Sequence, residues 1–453
     1  MATTSPLIIV STFWGKQHSR RNDERAQNKL DRRVMTADAQ AFYEHPSSID
    51  EPHPPLERLL QSLSQLHGSF QIALVVNTND KSVEVRADER VREIARQFPQ
   101  LSIFVFGPTE MGSLTRRLEQ LELLDMMPAL SLRSYGATRN LGLLVAAIKG
   151  CERVIFLDDD CVVDDAQFLE KAMFGLGDAI HTGGHLLGKT GLAMNVKGRY
   201  LTEEDNRATD RFWRWDQSHN KAISELLTPP RLTPAKLAFG GCLALHAGLF
   251  ARVSFDPWIT RGEDTDYVIN TRLFGSQLFV DDQWSILHLP GEGVSRPLRF
   301  RQDVFGYIYE HRKLEFAKSQ VDLKQVTPEQ LMPYPGDFID GSVGMRARIT
   351  ALLRAIRGPE RAVYWQAALH VVADATRYAC DHCADYFAFQ RKWPTLVERL
   401  WHDVALNPLF SGERTVDRSA LTGSFKAIEV ESEERSEGPA RASGGRGESG
   451  GRQ

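Results

Sequence analysis

The chain has 453 residues, 42% hydrophobic and 25% charged, enough for two or three domains of an ordinary globular protein. Its formal net charge of -4 marks no polyanion binder, so nucleic acid is not an expected partner. No run of about eighteen apolar residues occurs. The start MATTSPLIIVSTFWG lacks the basic opening and long apolar core of a secretory signal, and the five cysteines (Cys151, Cys161, Cys242, Cys380, Cys383) are odd in number and scattered. Together these features predict a protein of a reducing, cytoplasmic compartment.

In chain order, PLIIVSTFW, QIALVVNTND, LSIFVFGP and RVIFLDDD are short apolar runs that each end in polar or turn residues. Between several of them, stretches such as LERLLQSLSQL and SVEVRADERVREIARQFP repeat apolar residues at three- and four-residue steps. The alternation predicts parallel strands with crossover helices in an α/β doubly wound sheet. Ligands of such sheets bind at the carboxyl ends of strands, where STFWG, NTND and DDD fall.

From about Gln302 the texture changes. QDVFGYIYEHRKLEFAKSQ, MRARITALLRAIRG and the long PERAVYWQAALHVVADATRYACDHCADYFAFQRKW all read as helical. Within the last, ACDHCADY holds a C-x-x-C without the second pair a zinc site needs, so Cys380 and Cys383 read as two small residues on a helix. The final ESEERSEGPARASGGRGESGGRQ has almost nothing apolar and is expected to be disordered. The boundaries expected are an α/β domain over 1–295, a helical region over 296–410 and a tail over 411–453.

RVIFLDDDCVVDD runs an apolar strand into three consecutive carboxylates. Such a strand either surfaces into a polar turn or meets a cation. In an extended segment residues i and i+2 share a side, roughly 6–7 Å apart, which would bring Asp158 and Asp160 together and turn Asp159 away. Hard divalent cations such as Mg²⁺ or Mn²⁺ take carboxylate oxygens and a substrate phosphate. Upstream, SYGATRNLGLLVAAIKG reads as a tight loop bearing Arg139, then a helix. Downstream, Gly240 and Gly241 permit close approach of a backbone or ligand. GEDTDY then places Glu263, Asp264 and Asp266 in a first helical turn, where the helix dipole alone favours acids. SILHLP ends a further strand at His288, a candidate nitrogen ligand beside a carboxylate-bound metal. Arg296, Arg299 and Arg301 in SRPLRFRQ read as a loop able to close over phosphates.

The order of these segments resembles the GT-A fold, nucleotide-sugar-dependent glycosyltransferases of the broad family 2 type. The resemblance runs from about Pro6 to Pro290 and is strongest in GATRNLGLLVAAIKGCERVIFLDDDCVV and GGCLALHAGLFARVSFDPWITRGEDTDYVINTRLFG. It implies a GT-A domain followed by the helical region and tail. Arg139 and Asn140 are implied on the donor diphosphate. Asp158, Asp159 and Asp160 form the D-x-D motif, with the first carboxylate near the ribose and the last on the metal. Asp264 of the GED segment, beside Glu263, becomes the base of an inverting reaction, and His288 completes a metal shell with Asp160 and Asp158.

Two departures stand out. The first strand ends STFWG and is followed by a polar insert, KQHSRRNDERAQNKLDRRVM. The second ends NTND. Thr12, Asn77 and Asp80 are the candidates for the nucleoside pocket, with Arg296 and Arg299 on the phosphates. Gly240, Gly241 and Trp258 are candidates for the acceptor side, where Trp213 and Trp215 could also stack on a sugar unless they are core.

The reaction implied is sugar transfer from a nucleoside-diphosphate sugar to a carbohydrate, lipid-linked or small-molecule acceptor, with Mn²⁺ or Mg²⁺ as cofactor. Two other classes share these features. One is a haloacid-dehalogenase-like phosphatase, against which several strands precede RVIFLDDD. The other is a non-catalytic carbohydrate- or nucleotide-binding protein on the same sheet. Basic helices such as RARITALLRAIRG also suggest peripheral contact with a membrane.

Overall fold

The computed structural model describes residues 5–15, 43, 45–78, 80–180, 183–291 and 295–410. The polar insert after the first strand and the tail expected over 411–453 lie outside the described residues.

The four leading apolar runs are strands: β1 (Leu7–Gly15), β3 (Gln71–Thr78), β4 (Ile103–Phe106) and β5 (Arg153–Asp158). They read as unbroken apolar runs because both their faces are buried. Leu7 and Ile9 of β1 pack into one core, and Ile8 and Val10 into the other. Short β2 (Ser47–Ser48) pairs with the end of β1. The sheet continues with β6 (Cys161–Val162), β7 (Gly188–Met194), β8 (Leu232–Pro234), β9 (Leu243–His246) and β10 (Phe279–His288). Its order is β4-β3-β1-β5-β9-β7-β10-β6, with β2 on β1 and β8 on β10.

The sheet is mostly parallel. β9 reverses it, running antiparallel to both β5 and β7, and β6 and β8 run antiparallel to β10. The parallel pairing of β1 with β5 sets Ser11 opposite Asp158, so the acidic turn after β5 emerges beside Thr12 and Phe13.

Helices α1 (Pro55–Leu63), α2 (Glu84–Arg96), α3 (Pro108–Gln120), α4 (Tyr135–Lys149), α5 (Phe168–Met173), α6 (Trp215–Leu226) and α7 (Glu263–Leu273) flank the sheet. The helical C-terminal region comprises α8 (Arg296–Ala317), α9 (Val343–Arg357), α10 (Arg361–Gln366) and α11 (Val372–Leu400), with a π-helical turn over Ala367–Val371. α11 is fastened to the sheet domain by polar bonds as well as packing. The Trp393 Nε1 donates to the Phe250 carbonyl at 2.7 Å, and the Gln390 Oε1 accepts from the Ser254 N–H at 2.7 Å. Residues up to Phe410 form one compact unit.

Two expectations of local structure change. α4 begins at Tyr135, with the Ser134 hydroxyl accepting from the Ala137 N–H at 3.4 Å, so Arg139 and Asn140 sit in its second turn and not in a preceding loop. SRPLRFRQ is the start of α8, since Pro297 in a first turn loses no helical hydrogen bond.

Candidate active site

β5 ends at Asp158, and Asp159 and Asp160 make the turn into β6. The convergence expected along a strand is therefore made by a turn. Oxygens of Asp158 and Asp160 and the Cys161 sulfur lie within 4.8 Å of one another. Asp159 turns to β1, where its Oδ2 accepts from the Thr12 hydroxyl at 2.8 Å and the Phe13 N–H at 3.1 Å. His288 ends β10 opposite Cys161, and its Nε2 is 3.2 Å from the Asp160 Oδ2.

Arg139 is the hub. Its Nη2 donates to the Asp158 Oδ1 at 2.6 Å, and Nε and Nη2 each reach the Glu263 Oε1 at 3.2 Å. The buried Nη1 has no hydrogen-bond partner among the described residues. Asp264, at the start of α7, accepts the Gly240 N–H on Oδ2 at 2.8 Å. The diglycine makes room for these groups. A Cβ on Gly240 would stand 2.4 Å from the Arg139 Nη2, and one on Gly241 2.7 Å from the Cys161 sulfur and 3.0 Å from the Asp158 Oδ2. What the two glycines admit is thus the protein's own side chains.

Asp158, Asp160, Glu263 and Asp264 gather around the Arg139 guanidinium and the His288 imidazole, with Asp159 behind them on β1 and His45 near enough for its charge to act on Asp160. Burial pushes Asp159 well above the usual carboxylate range, with the Asp160 charge adding to it. Burial also lifts Glu263 to about 7, against the pull of Arg139 and with a push from Asp264. Asp264 is raised by burial too, and the Gly240 and Thr265 N–H groups oppose the shift. Asp160 behaves otherwise. Burial would raise it, but the hydrogen bond and charge of His288 bring it below the ordinary value.

Such a set suits a hard divalent cation. Asp158 and Asp160 offer carboxylate oxygens within 4.8 Å of each other, and His288 adds a nitrogen donor on the Asp160 side, 3.2 Å from its Oδ2. Cys161 brings a soft sulfur, which such a cation favours less than oxygen, and burial and the neighbouring carboxylates push its thiol well above the usual range.

The remaining sequence candidates divide sharply. Thr12 and Asn77 are fully buried and committed to the protein. Asn77 donates to the Val75 and Thr12 carbonyls and accepts from Thr138 at 2.5 Å. Asn140 exchanges two bonds with the backbone of Phe255, both at 2.9 Å. These side chains hold the site's frame. Asp80 accepts from the Ser82 N–H at the start of a short helical turn. Arg296 is exposed, 3.9 Å from Asp205. The Arg299 guanidinium lies 5.6 Å from the centre of the Trp215 ring. Trp213 is buried among Phe300, Tyr307 and Phe338, so it is core. Trp258 packs on His382 and Phe389 of α11.

Sequence reasoning missed a second ionic cluster one helical step away. The Lys313 ammonium of α8 bridges Asp256, at 2.7 Å, and Asp266, and donates to the Asn270 Oδ1 at 3.1 Å. Tyr309 donates to Asp256 at 2.9 Å. Beside it Glu310 is buried with Oε2 unbonded among the described residues, and its carboxyl is raised well above the usual range by burial and then by Asp266. The signal was present: Glu310 and Lys313 stand three apart inside the aromatic stretch YIYEHRKLEF.

No family model matches this chain, and no curated protein is similar to it. Among solved structures it is similar to the mannosyltransferase PcManGT from Pyrobaculum calidifontis in complex with GDP-Man and Mn²⁺, at 12% identity and a TM-score of 0.40, over 88% of this chain and 85% of that one. It is also similar to S. aureus TarS, at 13% identity and 0.31, over 82% of this chain and 55% of that one. GalNAc-T7 with UDP, GalNAc and Mn²⁺ follows, at 11% identity and 0.34, over 79% and 59%. At such scores these likenesses say nothing of this chain's activity, and the functional reading stands on the site itself.

Proposed function

We propose that the protein is a metal-dependent glycosyltransferase, moving a sugar from a nucleoside-diphosphate sugar to an acceptor hydroxyl with inversion at the anomeric carbon. The observation that carries this reading is the excess of carboxylates at the strand end around a buried arginine whose Nη1 has no partner among the described residues. A metal–diphosphate complex answers both needs, a cation for Asp158 and Asp160 and an anion for Arg139.

Asp158, Asp160 and His288 are the residues that would hold Mn²⁺ or Mg²⁺, which would supply Lewis-acid charge against the negative charge growing on the leaving diphosphate. Arg139 adds a fixed positive charge, kept in place by Asp158 and Glu263 and needing no reorganisation as the bond breaks. Asp264 serves as the base that takes the acceptor's proton. Burial has raised its proton affinity, and the Gly240 N–H fixes its direction. Because Thr12, Asn77 and Asn140 are engaged within the protein, they act through Asp159, α4 and the chain at Phe255 and not by touching the donor. The acceptor is a carbohydrate, a lipid-linked sugar or a small molecule bearing a hydroxyl.

The test is release of nucleoside diphosphate from a panel of sugar nucleotides, with Mn²⁺ or with EDTA. The reading expects slow, metal-dependent hydrolysis of one donor, lost in Asp160→Ala. Phosphate release from phosphomonoesters without a sugar nucleotide would replace it with the phosphatase reading. Binding of a sugar nucleotide without turnover, with or without acceptors, would leave a binding protein.

A further inference from the structure

α9 and α10 form a helical hairpin. A Cβ on Gly344 would lie 3.2 Å from Val372, and the Arg354 guanidinium donates to the Tyr364 hydroxyl at 3.2 Å. The two helices therefore run antiparallel, with Leu352 level with Trp365 and Arg348 level with Leu369.

α9 turns Val343, Ala347, Thr350, Ala351 and Ala355 to the core. The opposite side carries Met345 (63% exposed), Leu352 (38%) and Ile356 (55%). On the second arm Trp365 (46%) and Leu369 (68%) are exposed, the latter within the π-helical turn. Single exposed apolar residues are ordinary, but two packed helices that each expose a row of large ones are not.

The charge around them has one sign. Between Val343 and Val371 there are five arginines and a single acid, Glu360. Arg346 and Arg354 are paired with Asp340 and Asp210. Arg348, Arg357 and Arg361 are exposed and have no ion pair or hydrogen bond among the described residues. Apolar rows set among unpaired arginines complement a surface with an apolar interior and anionic headgroups. No helix among the described residues is long and apolar enough to cross a membrane, so the contact lies in the plane of the interface.

We propose that the α9–α10 hairpin is a docking face for an anionic lipid bilayer, with Met345, Leu352, Ile356, Trp365 and Leu369 entering the headgroup boundary and Arg348, Arg357 and Arg361 on the lipid phosphates. The proposal does not depend on the enzymatic reading.

The experiment is co-sedimentation of the full chain with vesicles of phosphatidylcholine, alone or mixed equally with phosphatidylglycerol, at low and high salt. Binding to the anionic vesicles at low salt is expected. It should fall at least about tenfold in Arg348→Glu/Arg357→Glu/Arg361→Glu and in Ile356→Asn/Leu369→Asn. These positions are exposed, and unchanged melting temperatures show that the variants fold. Equal binding to neutral and anionic vesicles, no binding by wild type, or undiminished binding by the charge-reversal variant would each overturn the proposal. So would a concentration-dependent dimer abolished by Ile356→Asn, which would assign the face to a second copy of the chain.

Discussion

Asp264 and Asp266 stand two residues apart on α7 and belong to opposite kinds of ionic cluster. Around Asp266 the groups are bonded to one another: Lys313 bridges it to Asp256, Tyr309 and Asn270 complete the bonds, and burial holds the adjoining Glu310 carboxyl well above the usual range. Around Asp264 bonding capacity is left open. Asp158, Asp160, Glu263 and Asp264 surround Arg139 and His288, and among the described residues the Arg139 Nη1 has no partner. A bonded buried cluster fastens α7 to α8, whereas the open one leaves places for a cation and an anionic ligand to fill. The contrast separates frame from site where residue type alone does not.

The comparison is broken most forcefully by removing the compensating cation. Lys313→Met strands two buried aspartates and is expected to cost about 3–5 kcal/mol of stability in denaturant unfolding. A loss under 1 kcal/mol would mean the cluster is not the fastening described. Asp264→Ala should do the opposite, lowering donor turnover by roughly 10²–10⁴-fold while the melting temperature stays near that of wild type.

A pH titration sharpens the contrast further. The Glu263 carboxyl keeps its proton up to about pH 7 in the folded chain, against an ordinary value of 4.5. Between those values the folded state binds more protons than the unfolded, so its stability falls as pH rises. Glu263→Gln should remove that fall, gaining on wild type by on the order of 1–3 kcal/mol between pH 4.5 and 7. Parallel stability profiles would show that Glu263 is ionised throughout. The smallest effect is expected for Asp159→Asn. The amide oxygen still accepts from Thr12 and Phe13, and burial already favours the uncharged carboxyl, so stability should stay within about 1 kcal/mol of wild type.

The strands were legible because burial on both faces leaves a continuous apolar run, and β1, β3, β4 and β5 fall where those runs do. β9 was not legible as a reversed strand, since LALH carries no mark of direction. The acidic turn, Arg139, His288 and the GED segment are brought together by the fold as their order suggested. Thr12, Asn77 and Asn140 show the limit of that reading. Polar residues at a strand end or a helix start look like ligand contacts in a sequence, but here their hydrogen bonds are filled by a carboxylate, a threonine and a backbone segment. For Lys313 the spacing to Glu310 inside an aromatic helix marked a buried ionic group, but its partnership with Asp256 spans a sequence distance that no local pattern records.

The central claim, that the cluster at the end of β5 is completed by a metal and a diphosphate, is tested most directly by calorimetric titration of Mn²⁺ with each nucleoside diphosphate into wild type and Asp160→Ala. The account predicts that one nucleoside diphosphate binds wild type at a single site only when Mn²⁺ is present, and that Asp160→Ala abolishes this binding. Equal binding by both proteins, or none by wild type for any nucleoside diphosphate, would contradict it and leave the three aspartates as a polar turn.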